Sequence, residues 1–364
     1  MRTSILIALL LAAAMLAVVG CDREITGEVK DNGGIVASNN CFDCHNGADA
    51  LGADVIMAVR QWDVSQHASG DNINRNTGAC RDCHISEGFI ERITGQSLNT
   101  DASNAIGCFA CHNPHENGDF RLRTAAAVVL GNGTTFDRNN ANLCASCHHG
   151  RQNVDTYVAD GTKLSTHYGP HHGPQSDMLI GTNAYEYAGY DYVDSWHATG
   201  VTDGCVKCHM DVSVGYAMGG HTWWMESEEF GENIGACNVD GCHVTGNEIE
   251  DFNRVTAYDF DEDGDTSEGV QTEITDLLDE LESALESAGL VEYDAEAGLY
   301  EPTNGLTVSD ADSVGAVFNY LFVREDRSMG IHNTRYAAGL LISSINYLAT
   351  GNPSKGPASL ASAH

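Results

Sequence analysis

Basic residues are scarce in this 364-residue chain: 18 Lys+Arg stand against 52 Asp+Glu, a formal net charge of −34. No basic stripe is available for a phosphate backbone, which excludes nucleic acid as a partner. The acidity favours solubility and cationic or metal-bearing partners. Its simpler reading is a solvated surface. Long apolar runs are scarce too. After residue 20, no stretch is apolar for long enough to cross a bilayer. Complete disulfide pairing is excluded as well, because the cysteines number thirteen. No constant repeat period appears, so the chain is not a solenoid of equal units.

The apolar run that does exist lies at the start. Arg2 precedes Ile5 to Val19, which is too short to span comfortably but suits the core of a secretory signal. It ends in Val18-Val19-Gly20-Cys21, which resembles a lipobox. Residues 1–20 then read as a lipoprotein signal, with Cys21 as the diacylated N-terminus. Each buried methylene of the acyl chains would add about 0.8 kcal/mol of anchoring. The alternative is an ordinary signal with a stray cysteine. Residues 21–40 read as a polar tether containing Gly33-Gly34.

The other cysteines follow a rule. Five C-x-x-C-H motifs occur: Cys41/Cys44/His45, Cys80/Cys83/His84, Cys108/Cys111/His112, Cys144/Cys147/His148 and Cys205/Cys208/His209. A sixth pair, Cys237 and Cys242, is more widely spaced and is followed by His243. C-x-x-C-H is the attachment signature of c-type haem. Two thiols add across the vinyl groups of one haem, and the next histidine is held beneath the iron. Zinc also uses C-x-x-C pairs, but it does not need a histidine after every second cysteine. The expectation is six haems, with Cys21 as the one cysteine left for lipid.

Residues 41–250 therefore read as a hexahaem-binding region. Successive first cysteines are 39, 28, 36, 61 and 32 residues apart. Hydrophobic periodicity is weak, and haem faces would replace the missing apolar core. The expected fold class is mainly α with extensive loops, wrapped round a haem stack. Residues 251–350 change character. Asp259, Asp261, Asp263 and Asp265, with Gly264, resemble the start of an EF-hand calcium loop. Its twelfth position is Val270 rather than Glu, and Glu268 is the substitute candidate ligand. The other reading is an acidic, solvated turn. A helical module follows. Ile274, Leu277, Leu278, Leu281 and Leu285 recur at helical spacing over 270–288. Ser309 and Asp312 form a capping-box pattern before a second helix carrying Val314, Val317, Phe318 and Leu321. A third helix is expected over 333–349, stopping near Gly351-Asn352-Pro353. Residues 351–364 read as a flexible tail.

These motifs resemble the multihaem cytochromes of metal- or sulfur-respiring bacteria, including outer-surface ones. The wider sixth site is similar to attachment sites of the cytochrome c3 type. Glu325 to Asn333, followed by Tyr336 and Leu340-Leu341, resembles the end of pentahaem nitrite-reductase-related cytochromes, and Gly219-Gly220-His221-Thr222 agrees. The resemblance covers most of 41–349. It implies a second, distal histidine on each iron. The segments similar to distal-ligand phrases hold His67, His115, His197, His221, His332 and one of His171 or His172, with His167 as the outsider. His149 and His364 fit second-shell or surface roles better. Pairing of distal histidines with particular haems is left open.

One departure bears on function. Ammonia-forming nitrite reductases attach the catalytic haem through C-x-x-C-Lys and keep a distal position open. No such motif occurs here. An electron carrier is therefore expected, passing electrons to other cytochromes or to an extracellular acceptor. It would be lipid-anchored on the periplasmic or cell-surface side, with the outer membrane or exterior favoured. The competing class is a terminal reductase for nitrite, hydroxylamine or a sulfur oxyanion, with one open haem. A third is a homopolymeric filament. The cofactors implied are six c-type haems and a candidate calcium ion.

Overall fold

A computed structural model describes residues 50–69, 73–98, 101–113, 120–212, 214–244, 248–256 and 258–354. Cys21, Cys41, Cys44, His45 and His115 lie outside these residues, as do the signal, the tether and the tail beyond 354.

The described chain is mainly helical with extensive loops. The helices that matter below are α1 (Ala50–Asp63), α2 (Ser86–Thr94), α3 (Val270–Ser287), α4 (Ala311–Asp326) and α5 (Thr334–Thr350). Strand is confined to three two-stranded antiparallel ribbons, of which Val291–Asp294 with Leu299–Pro302 has the most residues. Among the described residues no helix is long and apolar enough to cross a membrane.

The apolar periodicity of α3 becomes its packing face. Ile274, Leu277, Leu278, Leu281 and Leu285 are all buried against α4 and α5. Asp276, Asp279, Glu280 and Glu286 are exposed on the other side, whereas Glu273 in the first turn is buried. Helix α4 is buried all round through its middle, from Val314 to Val323. Its cap differs from the expected one. Asp310, not Ser309, is the capping residue, and its Oδ1 accepts from the Ser313 N–H at 2.8 Å. Helix α5 ends at Gly351 in a left-handed turn (φ 71°), whose N–H donates to the Tyr347 carbonyl.

The core around these helices does not stop at the change of composition near residue 250. Val154, Val158, Leu164, Tyr168, Met178 and Ala184 pack into it from the cysteine-rich part. Buried Asn319 fastens the two parts. Its Oδ1 accepts from the Tyr185 N–H at 2.9 Å, and its Nδ2 donates to the Tyr185 carbonyl at 2.9 Å and Ser344 Oγ at 3.1 Å. By contrast, the cysteine-rich part has only small apolar clusters of its own, such as Phe89 with Ala110 and Leu143.

Leu281 has 0% exposure at the centre of the main core. Leu281→Ala should cost about 2–5 kcal/mol of stability in a denaturant titration, through lost burial and a residual cavity. A cost below about 1 kcal/mol would show that this core is loosely packed.

Candidate haem-binding site

The attachment motifs form short helical turns. Arg81–His84, Cys108–Cys111 and Gly204–His209 are one turn or slightly more, and Ala141–Ala145 ends within its motif. A turn of this length puts both cysteines on one side and the following histidine next to them. All ten described attachment cysteines are free thiols of intermediate exposure. Burial pushes the Cys111 and Cys237 thiols up to about 12, with nearby cysteines adding to it. Such sulfurs are suited to a neutral state, which a thioether supplies.

The histidines are arranged in pairs. His67 faces His148 with ring centres 6.1 Å apart. His84 faces His171 at 6.2 Å, and His112 faces His221 at 6.2 Å. His209 faces His332 at 6.3 Å, and His197 faces His243 at 6.4 Å. Each pair joins one histidine that follows a cysteine pair to one from the distal set. Two imidazoles on opposite sides of one metal need a bond of about 2 Å each, plus about 1.1 Å from nitrogen to ring centre, or about 6.2 Å in all. Other ring contacts of the same chain scatter from 4.4 Å for His67–Trp223 to 6.4 Å for Tyr168–Phe318. Chance edge contacts would show the same scatter.

Hydrogen bonds orient the rings. Nδ1–H of His112 donates to the Phe120 carbonyl (2.7 Å), that of His197 to Ile331 (2.8 Å) and that of His209 to Trp223 (3.0 Å). His148 Nδ1 meets Gln175 Oε1 at 3.3 Å, and His332 Nδ1 meets Asp326 Oδ1 at 2.7 Å. A carbonyl can only accept, so the proton sits on Nδ1 and the Nε2 lone pair is left for a metal. Burial holds His67 down to about 4, helped by His148, and holds His171 down to about 4, helped by Arg151. Both are thereby kept neutral, the state in which imidazole binds a metal. His332 differs. Burial alone would lower it, but the adjacent Asp326 carboxylate outweighs burial and raises it.

Several residues outside the candidate ligand set position these histidines. Asn333, with 0% exposure, accepts from the Ser195 N–H at 2.7 Å and donates to Asp194 Oδ1 at 2.8 Å. It thereby ties the segment before His197 to the one containing His332. Gln61 of α1 accepts from the His221 N–H at 3.1 Å and donates to the Tyr216 carbonyl at 3.0 Å. Gly219 and Gly220 both have positive φ, 69° and 54°, and a Cβ on Gly219 would sit 1.5 Å from the Asp211 carbonyl oxygen. The glycine pair before His221 is thus a steric necessity.

The ambiguous Tyr168–Gln175 segment is resolved in position. His171 faces His84, while His172 turns to Glu325, with Nδ1 2.9 Å from Oε2. His167 makes a backbone contact to Ser165. His149 Nδ1–H donates to the Gly150 carbonyl at 2.8 Å.

All ten described attachment cysteines and all ten paired histidines line one connected cavity of about 2940 Å³. An ordinary ligand pocket is about 300–1,000 Å³. Among the described residues, the groups of three or more candidate ligands close enough to share one ion are acidic, without cysteine or histidine. The residues present fit c-type haem, with thiol pairs for attachment and opposed imidazoles for both axial positions.

No family model matches the chain, and no curated protein matches it. Among solved structures, the chain is similar to one titled "Crystal Structure of Outer Cell Wall Cytochrome OcwA". The TM-score is 0.46 and the identity 17%, over 80% of this chain and 50% of that one. The chain thus aligns with half the length of that cytochrome.

Replacing His171 by Ala should create one high-spin centre in the electron paramagnetic resonance spectrum of the oxidised holoprotein. Replacing His172 should create none. The reverse result would transfer the ligand role to His172.

Proposed function

We propose that the chain is a hexahaem c-type cytochrome that carries electrons and does not act as a terminal reductase. The observation that carries this reading is the set of five histidine pairs at 6.1–6.4 Å, each uniting an attachment motif with a distal candidate. Bound haem supplies one-electron chemistry at an iron whose potential follows its ligands, burial and nearby charge. The protein's part is to hold two imidazoles on each iron, so that substrate finds no open coordination position. The remaining motif, Cys41/Cys44/His45, and the remaining distal candidate, His115, lie outside the described residues.

The ligand pairs are close enough to act as a relay. Trp223 stands where three of them meet. Its ring is 4.4 Å from that of His67 and 5.7 Å from that of His221, and its carbonyl accepts from His209. Its backbone is left-handed (φ 55°), which a bulky residue adopts only where its surroundings require it. Thiols of neighbouring motifs also adjoin: Cys147 donates a hydrogen bond to Cys83, and Cys205 donates one to Cys144. The lipobox reading of Cys21 places this relay at a membrane surface, facing other cytochromes or an extracellular acceptor. The acidic surface favours a cationic or metal-bearing one. Five complete ligand pairs within one chain leave those five irons with no need of a histidine from a neighbour.

Haem analysis should give six haems per chain, and the oxidised holoprotein should show only low-spin signals. One high-spin centre would favour the reductase reading. Asp326→Asn should move one of the six redox centres to a more positive potential in a spectroelectrochemical titration. The carboxylate makes His332 a stronger donor, and the amide does not. An unchanged titration would remove Asp326 from the tuning of that centre.

A further inference from the structure

Five carboxylates gather where the 259–268 loop meets the first turn of α3, and none of them lines the haem cavity. Ligand oxygens of Asp259, Asp261 and Asp263 lie within 4.8 Å of one another, and so do those of Asp261, Glu268 and Glu273. Asp261 belongs to both groups. Two oxygens bound to one calcium ion are separated by at most twice a bond of about 2.4 Å, or about 4.8 Å.

Crowded acidic side chains are common on loops without any ion. Glu273 sets this cluster apart. It is fully buried, with 0% exposure. Its Oε2 accepts from the N–H groups of Phe260 (2.7 Å) and Asp261 (3.3 Å). Its Oε1 is buried with no hydrogen-bond partner, and the residue belongs to the group shared with Asp261 and Glu268. Asp259 Oδ1 and Glu268 Oε2 are likewise buried without partners. A buried carboxylate oxygen left unpaired is costly, and three in one place repel each other as well. One cation removes all three penalties. The donors are all hard oxygens, with no nitrogen or sulfur among them, which excludes soft metals. Magnesium prefers near-ideal octahedral geometry and retains water, whereas calcium accepts six to eight oxygens from a flexible loop.

We propose that Asp259, Asp261, Asp263, Glu268 and Glu273 bind a calcium ion that fastens the loop to α3. Asp265 is outside the set. Its Oδ1 accepts from the Ser267 N–H at 2.9 Å, closing the turn. The ion would brace one wall of the haem cavity, because Phe260 and Thr275 line that cavity from the loop and from α3. Gly330 shares this brace: a Cβ there would lie 2.7 Å from Ile274 Cγ1, and His332 is two residues on. The site itself does not depend on the haem reading.

Calorimetric titration of calcium chloride into the chelator-washed holoprotein should give one ion per chain, with magnesium chloride at least tenfold weaker. Glu273→Gln should weaken calcium at least tenfold. So should Asp263→Asn, whose side chain is exposed and can change without disturbing the core. No calcium binding, magnesium binding as tight as calcium, or both variants binding like the parent would overturn the proposal. The visible spectrum of the same samples reports haem content, so a failure here is separable from a failure of the cytochrome reading.

Discussion

Two imidazoles that share one metal must stand about 6.2 Å apart, centre to centre. In this chain five pairs of histidines keep that distance within 6.1–6.4 Å, although the partners come from remote segments. Much of the fold can be understood as the means of holding them there. The cysteine-rich part has little apolar core of its own, and it leans on the helical module through residues such as Asn319 and Met178. The module in turn carries His332 at the entrance to α5. It fixes that entrance through Asn333, which also binds the segment before His197.

The ligands are held in unequal ways. Most of the fixed rings donate to a backbone carbonyl or an amide, whereas His332 faces a buried carboxylate. On the proposed reading, that carboxylate would strengthen the donation of His332 to its iron and set one centre apart from its neighbours. Trp223 lies among three ligand pairs and donates no side-chain ligand of its own. Its ring fills space that water would otherwise occupy, and its carbonyl fixes His209.

Much of this was legible in the sequence because attachment chemistry is local. A cysteine pair and the next histidine lie within one turn, so spacing alone identifies them. Flanking phrases pointed to the distal candidates, five of which stand opposite a motif histidine, while His115 lies outside the described residues. Their pairing was not legible, because His67 reaches His148 and His197 reaches His243 only through tertiary folding. The choice of His171 over His172 likewise depends on Glu325, which is distant in sequence. Glu273 escaped the calcium-loop pattern because it lies beyond the twelve-residue frame, on the helix that closes the loop. Asp310 replaced Ser309 as a cap because the helix begins one residue later than the pattern implied. The composition change near 250 marks a change of surface and pattern, while the main core runs across it.

The central claim is that opposed histidines close the irons within a single chain. An experimental structure of the oxidised holoprotein, at a resolution that identifies both axial ligands at every iron, tests it most directly. The account predicts His148 with His67, His84 with His171, His112 with His221, His209 with His332, and His243 with His197. A water, an open position or another chain's histidine at any of these five irons would contradict it.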